Sequence, residues 1–224
     1  MAGRLKVSIV STANYVMPFL LSDFLVQNPN VKLQMDVTNK AKVTESIAKS
    51  EVDFSLVSIL PEGLDVASLP LMANELYLVG SSTQAISKKS TSVKLLEQLP
   101  IIFREQGSGT RLTMERFIDE HGLKVKRYLE LTSNEAVKQA VKAGLGYSIL
   151  PLMGIRQELT NGALRIIPLK HFPIRSTWHL IWPRKKKLSP AAARFLDYIE
   201  AEKDQIISSK FKWYSDFEAY QVTD

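Results

Sequence analysis

Strands, polar turns and helices alternate along most of the chain, and this order constrains its fold more than any other feature. Apolar and polar residues alternate over residues 5–9, a polar turn follows, and Pro18 then opens a helix. The same pattern begins again at a second strand, residues 31–37, and at a third, residues 52–57. Strands that alternate with helices form parallel sheets with right-handed connections. The sequence therefore predicts an α/β fold.

Polar residues follow each of these three strands. The first strand ends in Ser11, Thr12 and Asn14, the second is followed by Asn39, and the third ends at Ser58. Because ligands of such sheets lie beyond the carboxyl ends of the strands, we expect Ser11, Thr12, Asn39 and Ser58 to share one edge. Asn14 is a further candidate ligand residue beside them. Their hydroxyl and amide groups predict a ligand site there.

A glycine-rich turn joins an apolar strand, residues 101–103, to a helix whose apolar face includes Met114 and Phe117. Glycine allows a ligand to come close to the main chain, and Ser108 or Thr110 is suited to cap the helix. The free N–H groups and the positive end of the helix dipole then face the turn, which suits a carboxylate or a phosphate. The candidate ligand residues are Gln106, Gly107, Ser108, Gly109 and Thr110. The alternative is a strand-to-helix turn that binds nothing.

A second corner of the same kind follows the strand predicted over residues 128–131. Thr132 and Glu135 have the spacing of a capping box at the start of the next helix. Thr132 and Ser133 are therefore further candidate ligand residues, together with Gly146 at the start of a short buried strand.

The remaining segments complete the alternation. Residues 76–79 predict an apolar strand, residues 93–98 a helix, and residues 177–182 an extended segment. A final helix begins at about Pro190. The last twenty or so residues are weakly patterned, which predicts a mobile or lightly packed tail.

The pattern restarts after residue 80, which indicates two lobes. The chain has 224 residues, more than the roughly 100–200 of one ordinary domain. The extended segment near Trp178 must return the chain to the first lobe, so we expect crossovers near residues 79–82 and 176–179. The predicted lobes are residues 1–79 with 178–224, and residues 80–177.

Composition indicates a globular protein that works in the cytoplasm. Hydrophobic residues make up 45% of the chain, yet no apolar run reaches the roughly 18 residues that span a bilayer. The start of the chain lacks the apolar core of a secretory signal. The net charge of +6 favours anionic partners, although acidic and basic residues are interspersed.

The sequence offers little for catalysis or for a metal. It has no cysteine, and His121, His171 and His179 have no metal-ligand spacing, so we expect neither a metal nor a cofactor. It also lacks the G-x-S-x-G turn of many serine hydrolases.

Two further groups of residues allow two interpretations each. The basic run over residues 184–187 either contacts nucleic acid or phosphate, or forms a solvated turn, which is the commoner case. Trp178, Trp182 and Phe172 either line a cleft or a subunit contact, or pack in the core, which is the commoner use.

Several motifs resemble the effector-binding domain of LysR-type transcriptional regulators. They are Gly3-Arg4-Leu5-Lys6-Val7, Arg104-Glu105-Gln106-Gly107-Ser108-Gly109-Thr110-Arg111, Ser133-Asn134-Glu135-Ala136-Val137-Lys138 and Gly144-Leu145-Gly146-Tyr147-Ser148-Ile149-Leu150-Pro151. Shorter motifs, among them Val37-Thr38-Asn39 and Phe172-Pro173-Ile174-Arg175, resemble the branch that regulates carbon-fixation operons, often called CbbR. That branch commonly carries a basic residue near Ser58-Ile59-Leu60-Pro61, a segment that is neutral and apolar here.

The resemblance implies two Rossmann-like lobes of the type 2 periplasmic-binding-protein fold, joined by two crossover strands. It also implies dimers of this domain, tetramers of the whole regulator, and no contact with membranes. DNA would be bound only through an N-terminal winged helix-turn-helix, which is absent from this chain.

Our leading hypothesis is a non-catalytic sensor that binds a small anionic metabolite in the interlobe cleft. Whether Arg104, Arg111 or Lys40 contacts this effector or has a structural role stays open at this point. One alternative is an enzyme on the same scaffold, such as a prephenate-dehydratase-like lyase, because fold alone does not fix function. Another is a periplasmic solute-binding protein.

Overall fold

The computed structural model describes residues 2–84 and 91–217. The chain forms two compact units. Among the described residues, unit 1 comprises residues 2–73 and Ser176–Asp216, and unit 2 comprises residues 74–84 and 91–175 together with Phe217. These bounds differ by a few residues from those of the predicted lobes. Phe217 belongs to unit 2, whereas the prediction placed it in the first lobe.

The described residues form the following elements. The strands are β1 (Gly3–Val10), β2 (Val31–Thr38), β3 (Phe54–Val57), β4 (Val66–Ser81), β5 (Ile101–Arg104), β6 (Arg127–Leu131), β7 (Ser148–Pro151), β8 (Leu164–Ile166) and β9 (Ile174–Pro183). The α-helices are α1 (Met17–Gln27), α2 (Lys40–Ala48), α3 (Gly109–Glu120), α4 (Asn134–Lys142), α5 (Arg156–Thr160), α6 (Pro190–Lys210) and α7 (Lys212–Ser215). Short 3-10 helices span Ser11–Tyr15, Val93–Glu97 and Leu152–Gly154.

Unit 1 is built on a mixed sheet with the strand order β2-β1-β3-β9-β4. β1 pairs in parallel with β2 and with β3, as the alternating pattern predicts. β9 lies antiparallel to β3, with Leu180 opposite Leu56. Aromatic rings fill one side of the sheet: Phe195 of α6 lies 5.1 Å from Phe24 and 5.5 Å from Phe54, measured between ring centroids.

Residues 205–217 are packed, which corrects part of the predicted tail. α6 continues to Lys210 and α7 follows. The Phe211 side chain is only 2% exposed, and its ring meets that of Phe19 in α1 edge to face at 5.3 Å. The prediction is therefore wrong for residues 205–217. The sequence carries few local helix signals there, but the contact of Phe211 with Phe19 holds this part of the chain in place. Residues 218–224 lie outside the described part.

Unit 2 contains a parallel pair, β5 with β6, and an antiparallel group in which β4 pairs with both β7 and β8. Its core includes Leu76, Ile101, Phe103, Met114 and Phe117. The helix predicted over residues 93–98 is a 3-10 helix, Val93–Glu97. None of the helices in the described ranges is long and apolar enough to cross a membrane.

Candidate anion-binding site

The strand register of unit 1 brings the polar residues beyond β1, β2 and β3 to one edge. Val10 lies opposite Thr38, and Ile9 lies opposite Leu56, so Ser11, Asn39 and Ser58 follow at equivalent places. The expected edge is thus present. It is formed by residues that are distant in sequence because the parallel ladder aligns the strand ends.

The side chains at this edge differ in accessibility. Thr12 is 6% exposed within its 3-10 helix, whereas Asn14 is exposed. Asn39 caps α2, and its side-chain oxygen accepts a hydrogen bond from the Lys42 amide at 3.2 Å. Lys40 is the first residue of α2 and half-buried. This edge therefore presents a mixture of buried and accessible polar groups.

The glycine turn of unit 2 forms the predicted helix start. Gly107 has a φ of 88°, a conformation that favours glycine. Ser108 caps α3, because its hydroxyl accepts from the Arg111 amide at 3.4 Å. The amides of Gly109 and Thr110 are the first two of the helix and have no acceptor within it. Those two donors and the positive end of the helix dipole lie at the carboxyl end of β5.

The second corner has a different cap from the one predicted. Ser133, not Thr132, caps α4, and its hydroxyl accepts from the Ala136 amide at 3.0 Å. The Glu135 carboxylate instead bonds to side chains of its own helix. The hydrogen bond from Gln139 lowers the pKa of this carboxyl most, and the one from Lys138 lowers it further. The predicted capping box is wrong because Thr132 lies one position before the cap.

The two corners lie side by side in unit 2. Arg104 at the end of β5 is the register partner of Leu131 at the end of β6. The Glu105 amide then donates to the Leu131 carbonyl at 3.1 Å. Since α3 follows β5 and α4 follows β6, two capped helix N-termini occupy the same end of one parallel pair.

Arg104 and Arg111 are held in ion pairs. Arg104 is 4% exposed and pairs with Glu105 at 2.8 Å. Arg111 is 8% exposed and pairs with Glu115 at 2.7 Å and Glu130 at 2.8 Å. The structure thus gives both arginines partners within unit 2.

Gly146 has a packing reason to be glycine. A Cβ atom there would lie 2.4 Å from the Pro100 carbonyl oxygen, and the Tyr147 amide donates to that same oxygen at 2.9 Å. Its backbone therefore abuts the start of β5. The sequence did not reveal this contact, since the two segments are remote along the chain.

Sequence reasoning also missed a buried amide at this site. Asn134, the first residue of α4, is 7% exposed and accepts from Arg104 at 2.7 Å. Its position directly after a cap serine is the only local signal it gives.

The basic run, residues 184–187, forms ion pairs and hydrogen bonds within unit 1. Arg184 pairs with Asp65 at 3.0 Å, and Lys186 pairs with Asp53 at 3.2 Å. Lys186 also donates to the Val52 carbonyl at 2.8 Å. Most of the run therefore has a structural use, which neither sequence interpretation included.

The three aromatic residues with two possible uses, Trp178, Trp182 and Phe172, pack inside their units. Trp178 is fully buried, and Trp182 meets Phe54 edge to face at 5.8 Å. Phe172 lies 4.9 Å from Phe117. Core packing is thus their use in the described structure. Within residues 2–84 and 91–217, no group of three His, Asp or Glu side chains is placed to hold a metal ion.

Comparison with known proteins identifies the family. The LysR substrate binding domain model matches residues 1–204. The HTH-type transcriptional activator CmpR of Synechocystis sp. (strain ATCC 27184 / PCC 6803 / Kazusa) is 35% identical over 91% of this chain and 67% of its own length. The RuBisCO operon transcriptional regulator of Allochromatium vinosum is 34% identical over 89% of this chain and 67% of its own length. The chain thus spans about two thirds of these relatives.

A solved structure agrees with the same assignment. The Synechocystis PCC6803 CcmR regulatory domain in complex with 2-PG superposes with a TM-score of 0.84 at 33% identity, covering 90% of this chain and 97% of that one. The resemblance to carbon-fixation regulators and the two-lobed α/β fold class are confirmed. The relatives are named as transcriptional regulators, so the enzyme alternative is wrong. The chain belongs to the LysR substrate binding domain family, a family of transcriptional regulators.

Proposed function

We propose that this domain senses a small anionic metabolite, which is held in unit 2 by the N-termini of α3 and α4. The observation that carries the proposal is the pair of capped helix starts at one end of β5 and β6. Four first-turn amides, those of Gly109, Thr110, Asn134 and Glu135, have no acceptor within their helices. Helix N-termini favour negative charge through these N–H groups and through the dipole.

Other candidate residues predicted from the sequence lie in each of the two units. In unit 2 they are Gln106, Gly107, Ser108, Thr132 and Ser133. In unit 1 they are Ser11, Thr12, Asn14, Asn39 and Ser58. Gly146 has a packing role, and the proposal gives it no ligand contact.

The charge around the turn favours an anion held by amides and hydroxyls. The charge of Arg104 is matched by Glu105, and that of Arg111 by Glu115 and Glu130. A carboxylate or a phosphorylated carboxylate suits such a site. The relative that was solved with 2-PG supports this class of effector.

The regulatory step is a shift between two conformations. A ligand shifts such an equilibrium only by its differential affinity for the two states. In the whole regulator, which would act in the cytoplasm as a dimer or tetramer, this shift would alter DNA binding by the N-terminal winged helix-turn-helix.

A thermal-shift screen identifies the effector. Its compounds are 2-phosphoglycolate, 2-oxoglutarate, ribulose bisphosphate, NADPH and inorganic phosphate. Binding to the folded state raises the melting temperature by linkage. If none of these anions raises it, the sensor proposal is contradicted.

Gly109→Pro then tests the site by calorimetric titration with 2-phosphoglycolate. Proline is well tolerated at the first position of a helix, and there it removes only an amide that the helix does not use. Losing one hydrogen bond to a charged ligand weakens binding by about 1.5–3 kcal/mol. Ser108→Pro is a poorer test, because the Ser108 amide also donates to the Glu105 carbonyl at 3.2 Å.

One further variant and a control complete the titration. Thr132→Val, at the α4 corner of unit 2, removes a hydroxyl and is expected to weaken binding. Lys187→Ala, on an exposed position of the basic run, is expected to leave binding unchanged. Wild-type affinity in Gly109→Pro would show that the α3 N-terminus does not hold the anion.

A further inference from the structure

A buried guanidinium lies beside the two helix starts of unit 2. Arg104 is 4% exposed, and an isolated buried charge is costly unless it is paired and hydrogen-bonded. Glu105 provides the pairing: its two carboxylate oxygens accept from Nε at 2.8 Å and from Nη2 at 3.1 Å. The charge of Arg104 is therefore neutralised by its neighbour in the chain.

The third nitrogen of the same guanidinium reaches the other helix. Nη1 of Arg104 donates to the side-chain oxygen of Asn134 at 2.7 Å. Asn134 is the first residue of α4 and is 7% exposed. This bond joins the end of β5 to the start of α4, across 30 residues of sequence.

Arg104 is also connected to α3. Its backbone carbonyl accepts from Nη1 of Arg111, in the first turn of α3, at 3.2 Å. One residue thus contacts both helices whose N-termini form the proposed anion site.

Side-chain bonds matter here because the strand ladder stops. The register of β5 and β6 ends at Arg104 and Leu131, with one further bond from the Glu105 amide to the Leu131 carbonyl. Beyond that point the spacing of the two helix starts depends on contacts outside the ladder. A constellation that binds a ligand needs such support to keep its geometry.

We propose that Arg104 is a positioning residue for the anion site. It acts through Asn134 and through its own carbonyl to set the distance between the first amides of α3 and those of α4. Its guanidinium nitrogens already bond to Glu105 and Asn134, and the proposal gives it no contact with the effector. This inference rests on the proposed function.

The test is a double-mutant cycle on the affinity for 2-phosphoglycolate, measured by calorimetric titration. Arg104→Met and Asn134→Ala are each expected to weaken binding about tenfold, and the double variant is expected to be no weaker than Arg104→Met alone. Such coupling arises only if Arg104 acts through Asn134. Effects that multiply to about one hundredfold in the double variant would overturn the proposal.

Arg175→Met is the control. Arg175 forms another Arg–Glu pair of unit 2, with Glu75 at 2.9 Å, but the Arg175 side chain is exposed. The variant is expected to keep wild-type affinity. Equal weakening in Arg175→Met and Arg104→Met would reduce Arg104 to a general structural role and overturn the proposal.

If Arg104→Met does not fold, the single variant Asn134→Ala still tests the proposal. This variant keeps the ion pair between Arg104 and Glu105 and removes the bond from Arg104 to Asn134. Tenfold weaker binding with an unchanged circular dichroism spectrum supports the positioning role. Wild-type affinity in Asn134→Ala, together with the expected loss in Gly109→Pro, overturns this inference alone. If wild-type protein binds no anion of the screen, this inference and the proposed function both fail.

Discussion

At the scale of single residues, Lys186 shows how a surface charge becomes structural. Its ammonium lies 3.2 Å from Asp53, a residue that is 8% exposed and also accepts from the Lys6 amide at 2.9 Å. Lys186→Ala is expected to lower the free energy of unfolding by about 1 kcal/mol, because it leaves a mostly buried carboxylate without its cation. Urea denaturation measures this change. Lys187→Ala is the matched control, and equal stability of the two variants would contradict the prediction.

His179 makes the stability depend on pH. Burial lowers the pKa of its imidazole below the ordinary 6.5. In the interval between the lowered pKa and 6.5 the unfolded chain binds more protons than the folded chain, so the free energy of unfolding falls as the pH falls through this interval. His179→Gln should show a smaller loss of stability between neutral and mildly acidic pH, measured by urea denaturation. An identical pH profile for wild type and variant would rule this out.

At the scale of elements, the sequence predicted the features that depend on residues close together in the chain, such as helix caps. Ser108 and the α3 amide that it caps are three residues apart, so the cap could be predicted from the turn itself. The bond from Arg104 to Asn134 spans 30 residues and exists only because β5 and β6 align. The packing of Phe211 on Phe19 could not be predicted for the same reason, since its partner lies at the other end of the chain.

Phe211 holds the C-terminal helices in place. Its side chain is 2% exposed, and truncation of a buried phenylalanine costs about 3–5 kcal/mol. Phe211→Ala is therefore expected to lower the melting temperature markedly, as measured by circular dichroism. Lys212→Ala changes the exposed neighbour and should have little effect. A melting temperature equal to that of wild type in Phe211→Ala would show that the packing of Phe211 adds no stability.

At the scale of the whole molecule, the surface of α1 predicts self-association. Phe19 and Val26 are 45% and 80% exposed, and Val37 on the edge strand β2 is 44% exposed. Exposed apolar side chains on a helix and on an edge strand are typical of protein contacts. Sedimentation at micromolar concentration is expected to give a dimer, which Val26→Glu should weaken. A clean 25.2 kDa monomer for the wild-type chain would contradict this.

The division of the chain between the units also sets the order in which they are completed during synthesis. Up to Arg175, unit 2 comes from a single segment of the sequence, whereas unit 1 needs two segments, one that ends at Ala73 and one that begins at Ser176. Strand β9 must be made before it pairs with β3, so the first unit to emerge from the ribosome is the last to close its sheet. Long-range pairings of this kind slow folding, and until they form they leave strand edges open to wrong partners. A nascent chain of this protein therefore carries the unpaired edge of β3 until β9 has been translated.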